Sequence, residues 1–116
     1  MCMTRFRASE RDIQIAIRRR LALYGVVAMH VPNAGKRTIV AGRRLREEGM
    51  IAGAPDLICI CPRGNVAFLE VKAPGGRLSE RQAEFHELLK HLGHRVAVVT
   101  DHEQAVTRLK EWGLIT

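Results

Sequence analysis

The chain has 116 residues, enough for one hydrophobic core and no second one, and 47% of them are apolar, which excludes wholesale disorder. Lysine and arginine number 19 against 12 acids, a net charge of +7, which favours a polyanionic partner, nucleic acid first and an anionic surface second. The apolar runs are short and broken by charge, so no membrane span is expected, and five aromatic residues are too few for a binder that stacks single-stranded bases.

Helical periodicity opens the chain. Ile13, Ile17 and Leu21 recur at spacing four within Ser9 to Tyr24, with Ser9 and Asp12 at capping-box spacing and Gly25 as a stop. Val26 to Val31 is apolar and partly β-branched and reads as a strand ended by Pro32. Residues 33 to 54 lack a clear period, with one or two helical turns expected around Arg43 to Glu48; their basic side chains suit a functional loop.

Asp56 to Cys61 and Val66 to Val71 are apolar runs separated by Pro62-Arg63-Gly64-Asn65, which predicts a β-hairpin. Both are apolar on both faces, so central strands covered on both sides are expected. Ala73-Pro74-Gly75-Gly76 breaks the chain. Ser79 to Leu92 then forms a second amphipathic helix, Arg95 to Thr100 a strand, and Asp101 caps a last helix over residues 102 to 112. The whole reads as one domain over residues 1 to 116, an α/β sheet with helices on its faces.

Cys2, Cys59 and Cys61 form an odd set without a secretion signal ahead of it, which implies a reducing, cytoplasmic setting. Cys59 and Cys61 point to one side of a strand and read as small buried hydrophobes. Trp112 and Ile115 read as core or as dimer surface. The histidines, His86 and His91 included, give no metal spacing.

A hairpin centred near Arg63 opposes residues whose numbers sum to 126, which sets Asp56 against Glu70. Opposed side chains have Cβ atoms about 4.5–5.5 Å apart, where two like charges repel. A hard divalent cation offsets that repulsion. Lys72 lies on the same face as Glu70. A turn shifted by one residue would destroy this alignment.

Gly53-Ala54-Pro55-Asp56 followed by Glu70-Val71-Lys72 resembles the PD-(D/E)xK nuclease signature. More narrowly, the ordered set of Glu10, Pro32-Asn33-Ala34-Gly35, residues 48 to 56, Glu70-Val71-Lys72 and Leu78-Ser79-Glu80-Arg81-Gln82 resembles the VRR-NUC domain, the virus-type replication-repair nuclease, over residues 9 to 110. The resemblance implies a restriction-endonuclease-like αβββαβ core with a mixed central sheet flanked by helices and an extra C-terminal helix. It implies a homodimeric, metal-dependent endonuclease hydrolysing phosphodiester bonds of DNA, including branched, flapped or junction DNA. The alternative is a non-catalytic DNA- or junction-binding module on the same fold.

On this reading Asp56 and Glu70 hold Mg2+ or Mn2+ with the Val71 carbonyl as a third oxygen, and Lys72 positions water and neutralises charge on the phosphate. Glu10 is either a helix-dipole acid or, by resemblance, a group that reaches the metal directly or through water. Gln14, one turn on, either orients substrate or is solvated. Gln82 is explained by capping and, by resemblance, lies beside the lysine. Asn33, Lys36, Arg37, Arg43, Arg44, Arg46, Arg77 and Arg81 are the candidate DNA-binding residues.

Overall fold

The computed structural model describes residues 8–32 and 39–116. The predicted helix α1 spans Glu10–Ala22, where Ser9 Oγ accepts from the Asp12 N–H and Asp12 Oδ2 accepts from the Ser9 N–H. Ile13, Ile17 and Leu21 are its buried stripe. The other elements follow as β1 (Val27–His30), α2 (Ile39–Glu47), β2 (Leu57–Ile60), a 3-10 turn at Pro62–Gly64, β3 (Val66–Val71), α3 (Glu80–His91), β4 (Arg95–Val99) and α4 (His102–Glu111). Ser79 and Asp101 cap α3 and α4 as their spacing predicts.

The described residues form a mixed sheet in the order β1-β2-β3-β4. β1 and β3 both run antiparallel to β2, whereas β4 lies parallel to β3 and returns through α3. This is the mixed, helix-flanked α/β sheet expected, with α4 as the additional last helix. Leu57 faces Leu69 and Ile60 faces Val66 in the ladder, so paired numbers sum to 126. The hairpin tip holds that register: Arg63 and Gly64 adopt positive φ of 62° and 76°. Arg63 Nη2 also donates to the Gly113 carbonyl at 3.2 Å.

Strand alternation sends Leu57, Cys59, Ala67, Leu69, Val71, Ala97 and Val99 into one core with α1 and α4. Each fully buried Ile or Leu there, such as Ile17, Leu21, Leu57, Leu69 or Leu109, contributes about 1.5–3 kcal/mol of transfer free energy. Cys59 and Cys61 are buried free thiols in this core, and burial pushes the Cys59 thiol up to about 12. Ile115 is buried and Trp112 packs against the same cluster.

Two expectations need correction. The second sheet face is closed by α3 only in part. Val27, Met29, Ile60 and Val66 on that face are 60%, 47%, 43% and 41% exposed, so the hairpin is not covered on both sides along its length. α2 is a full nine-residue helix rather than turns near residue 43. Its β-branched Ile39 and Val40 and its Gly42 disguise the helical period.

Candidate active site

The hairpin register sets the position of Asp56 against that of Glu70, one step beyond the Leu57–Leu69 pair. Asp56 itself precedes β2 rather than opening it. Its backbone carbonyl accepts from the Val31 N–H at 2.7 Å, and its Oδ2 accepts from the Val71 N–H at 2.8 Å. The carboxylate thus takes the place of a ladder carbonyl and is held by β3. That bond fixes one oxygen within a peptide of Glu70.

Glu70 faces away from the α1/α4 core and toward α3, yet it is only 1% exposed. Its Oε1 is buried without a hydrogen-bond partner. Burial, first, and then hydrogen bonding and like charge from Asp56 push the Glu70 carboxyl up to about 9; Glu10 adds to this and Lys72 opposes it. Those influences bring four predicted residues into one electrostatic neighbourhood: Glu10 from α1, Asp56 before β2, Glu70 in β3, and Lys72 after it. Lys72 is anchored by its N–H, which donates to the Val99 carbonyl at 3.1 Å.

Gln82 arrives through a close backbone contact. Gly53 has φ +86°, and a Cβ built on it would lie 2.6 Å from the Arg81 carbonyl oxygen. Only glycine therefore lets the loop leading to Asp56 lie against the first turn of α3. Gln82 Oε1 accepts from the Ser79 N–H at 2.8 Å, which engages its carbonyl in the cap and leaves the amide group as its donor.

By sequence His86 is set aside with His91 as lacking metal spacing. It is buried at 4% exposure, and its Nε2 stands 3.7 Å from Glu70 Oε1, beyond hydrogen-bond reach. Neither atom has another partner. Burial, then Lys90, hold the imidazole below its usual range. The available signal was spacing: His86 lies four residues after Gln82, one turn along the same face of α3.

Among the described residues, no cluster of three or more His, Cys, Asp or Glu is arranged as a metal cage. The Asp56–Glu70 pair nonetheless fits an ion such as Mg2+, which takes one or two carboxylates and keeps several waters. A carboxyl buried at 1% exposure beside a second acid, as Glu70 is beside Asp56, is the donor set that such an ion would satisfy.

Of the basic residues, Arg46 and Arg81 line one groove together with Ile51, Ala52, Glu84 and Phe85. Arg43, Arg44 and Arg77 are exposed. Asn33, Lys36 and Arg37 lie outside the described residues. Gln14 is engaged on the α1 side, its Nε2 lying 3.0 Å from His30 Nδ1. No helix among the described residues is long and apolar enough to cross a membrane.

An αβ sheet with two acids and a lysine at one end of its hairpin defines a nuclease-type class. The VRR-NUC domain model matches residues 8–102, and the chain belongs to the VRR-NUC domain family, within the PD-(D/E)xK nucleases. A solved VRR-NUC domain shares 27% identity with a TM-score of 0.65, covering 90% of this chain and 97% of its own. A second VRR-NUC domain protein, 20% identical, superposes with a TM-score of 0.68 over 90% of this chain and 88% of its own, a likeness of fold. The protein named "Putative nuclease p44" of Acyrthosiphon pisum secondary endosymbiont phage 1 is 37% identical over 51 residues, 44% of this chain. The chain spans about half that relative, 55% of its length.

Proposed function

We propose that this nuclease-family chain is a Mg2+- or Mn2+-dependent endonuclease that hydrolyses DNA phosphodiester bonds, with branched, flapped or junction DNA among its substrates. The observation that carries the reading is the Asp56–Glu70 pair, in which a carboxyl is buried against a second acid. Asp56 and Glu70 hold the cation, with the Val71 carbonyl as a further oxygen. When bound, the ion polarises the scissile phosphate and acidifies a water.

The side chains around the pair do the remaining work. Lys72 aligns the attacking water and neutralises charge that develops on the phosphate oxygens. It serves as an electrostatic group rather than a base. Gln82 offers its amide N–H to water or phosphate. Glu10 would meet the cation directly or through water. Arg46 and Arg81 on their shared groove, with Arg43, Arg44, Arg77, Lys36, Arg37 and Asn33, track the DNA backbone without reading bases. Two copies related by a two-fold axis would address both strands, and the buried thiols suit a reducing, cytoplasmic setting.

The test is incubation with plasmid, linear duplex, flap and four-way-junction DNA and a matched RNA, each with Mg2+, Mn2+ or chelator. Cleavage of DNA that needs the divalent ion is expected. A wild-type protein that cuts none of the substrates, or cuts them equally in chelator, overturns the proposal. Light scattering on the same preparation is expected to give twice the monomer mass.

A further inference from the structure

α3 carries a buried histidine that the roles assigned above do not use. His86 Nε2 and Glu70 Oε1 face each other at 3.7 Å, both buried and both without a partner. A buried polar atom left unbonded is costly, so two such atoms facing each other mark a bond left open. A charge-assisted N–H to carboxylate bond is about 2.8 Å long. Closing the gap therefore takes about 1 Å of side-chain movement, within reach of rotation about the Glu70 and His86 side-chain bonds. Gly53 holds the Asp56 loop close against the first turn of α3, and His86 lies one turn further along the same helix.

We propose that His86 is the positioning residue for Glu70. Its Nε2–H closes on Oε1, and this commits one carboxylate oxygen to α3 and leaves Oε2 for a cation shared with Asp56. Groups that orient metal-binding carboxylates act through the ligand, and losing them typically weakens metal affinity about 10–100-fold. The inference rests on the proposed metal site.

The experiment is a calorimetric titration of the purified full chain with Mn2+, without DNA, on wild type, His86→Gln and His86→Asn, alongside DNA-cleavage kinetics at varied Mn2+. Glutamine carries an N–H at the reach of the imidazole Nε2, whereas asparagine stops at the reach of Nδ1. H86N is expected to bind Mn2+ about 10–100-fold more weakly, with an unchanged KM for DNA. H86Q is expected to stay within about threefold of wild type. H86N binding as wild type does, while wild type binds, overturns the proposal. H86Q as weak as H86N also overturns it, because packing rather than the donor would then be at stake. Wild type that neither binds Mn2+ nor cleaves overturns the metal site itself. Should H86N not fold, the ring nitrogen resonances of wild type in Mg2+ decide: a protonated Nε2 supports the proposal, and a proton on Nδ1 alone overturns it.

Discussion

The Val71 backbone N–H donates to Asp56 Oδ2 at 2.8 Å, so the carboxylate that precedes β2 is held by the same strand that carries Glu70. An acid fixed by its neighbour's strand cannot swing out to relieve like-charge repulsion. That fixed acid adds to burial, the larger cause, in raising the Glu70 carboxyl, and it shapes the outcomes expected of variants.

Asp56→Asn keeps an oxygen to accept from Val71 but removes the charge. It is expected to abolish metal-dependent cleavage while leaving DNA affinity in chelator within about twofold, since phosphate contacts supply that affinity. Lys72→Ala is expected to lower the cleavage rate about 10²–10³-fold. Single-turnover cleavage with a parallel binding assay checks both, and full cleavage by D56N removes the acid pair from the chemistry.

Stability in chelator depends on pH through Glu70. Its folded carboxyl titrates at about 9, against an ordinary 4.5. Between those values the folded chain binds more protons than the unfolded chain, so stability falls as pH rises from 4.5 toward 9 and levels off above it. Glu70→Gln carries no such charge. Its melting midpoint in chelator is expected to exceed that of wild type by a margin that widens from pH 5 to pH 9. Saturating Mg2+ is expected to narrow the margin by stabilising wild type alone. A margin that stays constant across this range refutes the assignment.

Gly53→Ala sets a methyl group 2.6 Å from the Arg81 carbonyl at a φ of +86°. The strain costs about 1–3 kcal/mol, read as a melting midpoint lowered by roughly 4 °C or more. Cleavage is expected to drop further than stability does, because the loop before Asp56 separates from Gln82. Wild-type melting and cleavage together would contradict the contact.

Arg46 and Arg81 share a groove, so Arg46→Ala with Arg81→Ala tests a DNA path directly. Each phosphate contact contributes about 0.9 to the slope of log affinity against log salt. The double variant is expected to bind more weakly on all sequences, with a slope shallower by about two. Fluorescence anisotropy at several salt concentrations measures it, and an unchanged slope places DNA elsewhere.

Much of the architecture is local and therefore legible in the sequence. Ser9 with Asp12 and Ser79 with Gln82 announce their helices by spacing alone, and both capping boxes are formed. The Pro62–Asn65 turn fixes the hairpin register and with it the Asp56–Glu70 alignment. What stays hidden is tertiary. Nothing local shows that Asp56 bonds β3 through its side chain, or that the Gly53 loop meets α3. His86 could be read only as a helix residue until the sheet lay beneath it. The exposed Val27, Met29, Ile60 and Val66 mislead for the same reason, since apolar character in a strand shows which residues suit a core but not which helix arrives to cover them.

Arg63, at the tip of the hairpin, is bound to the Gly113 carbonyl beyond α4. Side chains along a strand alternate sides, so one residue added to or removed from this tip would invert everything downstream in the ladder. Glu70 would then lie among Ile17, Leu21 and Leu109, and Leu69 would replace it beside α3. The phase of the acid pair is thus tied to the turn at the opposite end of the hairpin, and a one-residue change in loop length there would part the two acids while leaving both in the chain.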